Sequence, residues 1–110
     1  MVKPLFGRLN APLRKKEEIL EKLGELKPLL KQEYGVVKLG LFGSVARGDN
    51  TEDSDVDILI EVKRPKFTLF DFVGLKQFLE EKLNRKVDLV MERAIKPRLR
   101  RSIFSEVIYV

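Results

Sequence analysis

Residues 43 to 60 read G-S-V-A-R-G-D-N-T-E-D-S-D-V-D-I-L-I. Gly43 and Gly48 bracket a short turn, an acidic loop follows, and Asp55 and Asp57 stand at the mouth of an apolar strand. Side chains alternate along a strand, so residues i and i+2 share a face and the two aspartates are expected to point the same way. At roughly 4 Å and an effective dielectric of about 20, two such carboxylates repel by about 4 kcal/mol. A fold keeps the pair when something positive sits between them. A divalent cation suits the place, because hard oxygen donors match Mg²⁺ or, in its stead, Mn²⁺.

The elements on either side follow from hydrophobic period and turn residues. Upstream, Val36 to Phe42 (V-V-K-L-G-L-F) has the composition of a strand, and Gly43 stops it. Before it, apolar positions from Leu13 to Leu30 recur at three- and four-residue steps, which predicts a helix over about 13–34. Pro28 is expected to kink or end that helix, and Gly35 to terminate it. A single helical turn is expected around Val45 to Arg47, and Val56 to Val62 forms the second strand. Thr68, with Asp71 three residues on, opens a helix running to about Leu83. Its inner face is predicted to be Leu69, Phe72, Val73, Leu75, Phe78, Leu79 and Leu83, with Asn84 closing it.

Lys86 to Met91 (K-V-D-L-V-M) is the third strand. Strand, helix, strand is a right-handed crossover, so the second and third strands should be parallel. Pro97 opens a last short helix with Leu99 and Ile103 inward, and Val107 to Val110 is an apolar tail. Phe67 and Phe70 are candidates for an exposed interface.

At 110 residues the chain is expected to be one domain, 1–110, with an N-terminal helix over about 13–34 and a core over about 36–110. Hydrophobic content of 44% and charged content of 35% describe a globular protein with a heavily charged surface. There is no Cys and no His, which excludes disulfides, thiol nucleophiles and imidazole bases. Catalysis must then rest on carboxylates, amines, hydroxyls and metals. No apolar run approaches the ~20 residues of a membrane span, and the N-terminus lacks a signal peptide's apolar core, so a cytoplasmic protein is expected. The net charge is +5, yet Asp49, Glu52, Asp53, Asp55, Asp57 and Glu61 follow one another with no Lys or Arg among them. Basic residues crowd the C-terminal segment: Arg93, Lys96, Arg98, Arg100 and Arg101. Such a chain could bind a polyanion partly neutralised by metal, or simply present a solvated surface.

Asp88 sits between Val87 and Leu89, a costly place for a carboxylate that nothing compensates. If the second and third strands are neighbours, Asp88 joins Asp55 and Asp57 in a three-carboxylate cluster. Two metals about 4 Å apart could then hold a triphosphate and activate an attacking hydroxyl. Asp55 and Asp57 would ligate both ions. Asp88 would ligate the catalytic one and help to deprotonate the nucleophile, in a chain without His. Gly43 lets the backbone approach a phosphate, Ser44 adds a hydroxyl and an N–H, and Arg47 offers a fork of donors.

The segment G-S-V-A-R-G-x5-S-D-V-D-I-L-I resembles the signature of the DNA polymerase β-like nucleotidyltransferase superfamily in its minimal form. V-D-L-V around Asp88 follows at a family-like distance. The ending from Ala94 to Val110 is similar to that of minimal nucleotidyltransferases (MNT) encoded beside HEPN-domain proteins. The resemblance implies an α+β fold, a small mixed β-sheet flanked by helices, and transfer of a nucleoside monophosphate from a nucleoside triphosphate. By position it gives Gly43 and Ser44 to the triphosphate, Asp55 and Asp57 to two Mg²⁺ ions, and the third carboxylate role to Asp88. It further implies an antitoxin that transfers AMP from ATP onto a tyrosine of a partner HEPN ribonuclease toxin. The short chain agrees, since at 110 residues nothing beyond the core is expected to remain for a bulky acceptor.

Alternatives stay open: an antitoxin that neutralises its partner by binding alone, or a nucleotidyltransferase with a small-molecule or RNA acceptor. Direct nucleic-acid binding by the C-terminal arginines is not expected, because no stacking aromatic is interleaved with them beyond Phe104.

Overall fold

Ile19, Leu23, Leu26 and Leu30 recur at steps of three and four, and all four are buried along one stripe of the first helix, α1 (Lys16–Tyr34). The computed structural model describes residues 15–51 and 53–110. The expected helix start at Leu13, and Glu52 of the acidic loop, lie outside them. Gly35 closes α1 at φ 75°, its N–H donating to the carbonyls of Leu30 and Lys31. The helix does not end at Pro28. Pro28 and Gly24, the residue whose carbonyl loses its N–H partner, are both exposed, so water can satisfy that carbonyl and no packing is disturbed.

Strand β1 (Val36–Phe42) leads directly into α2 (Gly43–Arg47), a helix of five residues. Then follow β2 (Val56–Val62), α3 (Leu69–Leu83), β3 (Val87–Met91), a 3₁₀ turn over Glu92–Ala94, α4 (Pro97–Glu106) and β4 (Ile108–Tyr109). The four strands form one mixed sheet in the order β3-β2-β1-β4. β1 is antiparallel to β2 and to β4, and β2 is parallel to β3 as the crossover predicts. The α+β architecture is therefore the one expected. Thr68 caps α3 in a reciprocal box: its N–H donates to Asp71 Oδ2 at 2.9 Å and its Oγ1 accepts from the Asp71 N–H at 3.2 Å. Those bonds favour the ionised form and hold the Asp71 carboxyl below its ordinary range.

Alternation divides the sheet into two faces. Leu39, Leu41, Ile58, Ile60, Val87 and Leu89 pack with α1 and α3 in the main core. Phe42 and Leu59 face the other way, under Ile95 and against Ile103, Phe104 and Val107. That second face also carries the odd positions of β2 and the even positions of β3, hence Asp57 and Asp88.

Two expectations of inwardness fail. Leu69 and Val73 are 77% and 43% exposed, and with Phe70 at 89% they leave the first turn of α3 open. The fully buried positions of α3 are Leu75, Leu79 and Leu83, while Phe72 and Phe78 pack half-buried against the core as expected. Leu99 is likewise exposed, while Ile103 is half-buried. Of the two phenylalanines expected to be exposed, Phe70 is, while Phe67 is half-buried against the core.

The apolar tail is a strand, which its composition alone did not show. Gly40 makes room for it: a Cβ there would stand 2.7 Å from Val107 Cγ2 and 3.1 Å from Tyr109 Cδ1. Gly40→Ala should therefore loosen β4 and cost about 1–3 kcal/mol. Urea unfolding checks the loss of stability. Hydrogen exchange should quicken at the Val110 amide, which donates to the Leu39 carbonyl.

Candidate functional site

In the parallel pairing of β2 with β3, Asp57 stands opposite Asp88. On its other side Asp57 pairs with Phe42, the residue before Gly43. The topology thus brings Gly43, Asp57 and Asp88 to one end of three adjacent strands. The Asp57 carboxyl is pushed up from 3.8 to about 6, first by burial, then by the charge and hydrogen-bonding reach of Asp88, and then by Asp55 and Glu106. Asp88 itself is exposed. The strand buries Val87 and Leu89 on the opposite face, so the apolar neighbours seen in the sequence do not surround its carboxylate.

Asp55 lies one residue before β2 and is exposed, so strand alternation does not fix its direction as expected. Its charge still reaches Asp57. Among the described residues, no three or more His, Cys, Asp or Glu side chains are gathered tightly enough to hold a metal ion. The expected three-carboxylate cluster is instead a facing pair with a third acid at its rim. Mutual repulsion favours that spread. The donor set nevertheless fits a hard divalent cation: the acids are oxygen donors, and the raised Asp57 shows an electrostatic penalty that a cation would relieve.

The turn beside the pair is built on Gly43, at φ 75°. A Cβ on Gly43 would fall 2.0 Å from Asp57 Oδ2, so only glycine lets the turn and the carboxylate share this space. Ser44 follows on α2 and is half-buried, its carbonyl accepting from the N–H groups of Gly48 at 2.9 Å and Asp49 at 3.1 Å. Arg47 is exposed. Its Nε donates to Asp49 Oδ2 at 3.2 Å and its Nη1 to Glu106 Oε2 at 3.1 Å, and these two carboxylates raise its pKa further. Glu106 also accepts from the Gly43 N–H at 3.0 Å.

Two residues of the site carried no signal in the sequence. Glu106 comes from the end of α4 and meets the turn across 63 positions of chain. Arg85, buried between α3 and β3, donates to the Ser54 carbonyl and braces the acidic loop next to Asp55. Within the loop, Ser54 Oγ accepts from the Thr51 N–H at 3.0 Å. Of the C-terminal arginines, Arg100 is spent on structure: its guanidinium lies 5.1 Å from the centre of the Phe104 ring, and its Nη1 donates to the Glu92 carbonyl.

A family model described as a nucleotidyltransferase domain matches residues 14–110. The protein adenylyltransferase MntA of Thermococcus cleftensis is 40% identical over 94 residues, a match that takes in 86% of this chain and 94% of that protein. A solved structure assigned as a minimal nucleotidyltransferase superposes with a TM-score of 0.74 at 38% identity, over 86% of this chain and 94% of the other. A tri-AMPylated HEPN toxin of Shewanella oneidensis in complex with its MNT antitoxin gives a TM-score of 0.61 at 21% identity, over 83% of this chain and 70% of that one, a likeness of fold. Among the described residues, no helix is long and apolar enough to cross a membrane.

Proposed function

We propose, from the premise that this chain belongs to the nucleotidyltransferase domain family and is a nucleotidyltransferase, that it transfers AMP from ATP to a tyrosine of a HEPN ribonuclease toxin and thereby acts as that toxin's antitoxin. The observation that carries the chemistry is the Asp57–Asp88 pair facing across β2 and β3 beside the Gly43–Arg47 turn. The name of the MntA relative, a protein adenylyltransferase, supports the choice of AMP and of a protein acceptor. The HEPN toxin of the structural neighbour, itself AMPylated, supports the kind of partner.

Asp57 and Asp88, with Asp55 at the rim, would hold Mg²⁺, two ions in the full site. Bound there, the metal supplies neutralisation of the triphosphate and lowers the pKa of an attacking hydroxyl. Gly43, Ser44 and Arg47 would orient the triphosphate so that the acceptor hydroxyl lies in line with the α-phosphorus. The tyrosine oxygen forms the new bond to that phosphorus, the bond to the β-phosphate bridge breaks, and pyrophosphate leaves with the electron pair. Asp88 takes the tyrosine proton.

The test uses the full chain with a cognate HEPN protein, Mg²⁺ and ATP. Intact-mass spectrometry should show the partner heavier by whole AMP units, on tyrosine, and Asp55→Asn/Asp57→Asn should abolish the gain. Neutralisation that survives the double variant with no AMP transferred would make this an antitoxin that works by binding. AMP transferred to RNA or to a small molecule, and none to the partner, would overturn the choice of acceptor.

A further inference from the structure

Glu106 is the last residue of α4 and its side chain is 24% exposed. One oxygen accepts from the Gly43 N–H at 3.0 Å and the other from Arg47 Nη1 at 3.1 Å. The opposite edge of the same guanidinium is taken by Asp49 at 3.2 Å. The fork that would clasp a phosphate therefore already clasps two carboxylates. A carboxylate that bridges a backbone N–H and an arginine satisfies the same donors as a phosphate oxygen would. The two anions cannot share those donors, because at contact distance they repel as strongly as any like-charged pair.

We propose that Glu106 is a built-in competitor for the nucleotide, its carboxylate occupying the phosphate-binding donors Gly43 N–H and Arg47 until a triphosphate displaces it. This rests on the reading above that gives Gly43 and Arg47 to the triphosphate. The exchange needs no movement of the backbone. Glu106 is followed at once by Val107 and β4, which is tied to β1 through Gly40 opposite Tyr109 and Leu41 opposite Ile108. A turn about the Glu106 side-chain bonds is enough to free both donors. The occupied state also keeps Arg47 from drawing in other anions when no nucleotide is bound.

Glu106→Gln separates the parts of this arrangement. The amide keeps the length of the side chain and an oxygen for the Gly43 N–H, and it removes the charge that holds Arg47. Titration calorimetry with ATP and Mg²⁺ should give a Kd lower by about fivefold to tenfold than in the wild type, the scale of one charge-assisted hydrogen bond made in competition with water. The KM for ATP should fall likewise. Arg47→Met should weaken ATP binding in the same assay. If Arg47→Met weakens binding and Glu106→Gln leaves it unchanged or weaker, Glu106 merely positions Arg47: the competition is overturned and the assignment of Arg47 stands. If Arg47→Met has no effect, that assignment fails and the competition with it. Should Glu106→Gln fail to fold, the wild type suffices. Its Gly43 amide resonance should move on saturation with ATP as the carboxylate leaves, and an unmoved Gly43 amide would overturn the proposal.

Discussion

Asp57→Asn should melt above the wild type at neutral pH when both are metal-free, and with Mg²⁺ and ATP supplied it should lose transfer activity by about a thousandfold, the scale of several kcal/mol of charge stabilisation. The Asp57 carboxyl is raised from 3.8 to about 6 by burial first and then by Asp88, Asp55 and Glu106. The folded chain thus binds this proton more tightly than the unfolded chain does. The stability it contributes is fully present below about pH 4 and is lost as the pH rises through about 6. Above that point the charged, half-buried carboxylate is a liability of about 1 kcal/mol, once its partial exposure to water is discounted. Asparagine carries no such charge. Melting curves at steps between pH 4 and pH 7.5 should therefore show the gap between variant and wild type opening across that range. A gap that does not change with pH would show that repulsion is not what the variant relieves. Adding Mg²⁺ should close the gap from the wild-type side, raising its melting point and leaving that of the variant in place.

Gly43→Ala is expected to be worse for the fold than the loss of the carboxylate itself. The backbone at Gly43 is left-handed, and the new Cβ would meet Asp57 at three atoms, with Oδ2 at 2.0 Å, Cγ at 2.8 Å and Cβ at 3.1 Å. Strain and overlap together should cost about 3 kcal/mol or more. Because the residue that must yield is Asp57, transfer activity should fall at least about a hundredfold even in the molecules that remain folded. Gly48→Ala is the control. That glycine is also left-handed, at φ 85°, but a Cβ there would meet nothing within 4 Å. It should cost about 1 kcal/mol and affect transfer far less. Equal damage at the two positions would mean that backbone strain, and not contact with Asp57, explains the effect.

The parts of this molecule that could be read from the chain are those whose cause is local. The strand Val56–Val62, the capped helix opening at Thr68 and the glycine stop at Gly35 each follow from residues within a few positions of one another. The facing of Asp57 and Asp88 followed from one rule of topology, the parallel crossover. What escaped depended on partners far away in sequence. The inner face of α3 was drawn too wide because Leu69 and Val73 have the right period, yet both are exposed while Leu75, Leu79 and Leu83 are buried. Asp88 looked buried because its neighbours are apolar, although alternation sends them to one face and it to the other. The tail became β4 because Gly40, on another strand, leaves space for it. Glu106 had no reason to be noticed until α4 delivered it to the turn.

The place of β3 at the border of the sheet has a consequence for any study of the site. Among the described residues it is a short edge strand, with β2 on one side and no strand on the other. Edge strands are open templates for another chain, and a charged side chain on them is a usual defence against such pairing. Asp88 is the one charged residue in V-D-L-V-M, so the acid proposed to take the acceptor's proton also guards the border. Replacing it with valine would leave an uninterrupted apolar strand and invite self-association, and inactivity in such a variant would be uninterpretable. Asparagine, which keeps the strand polar, separates lost chemistry from lost solubility.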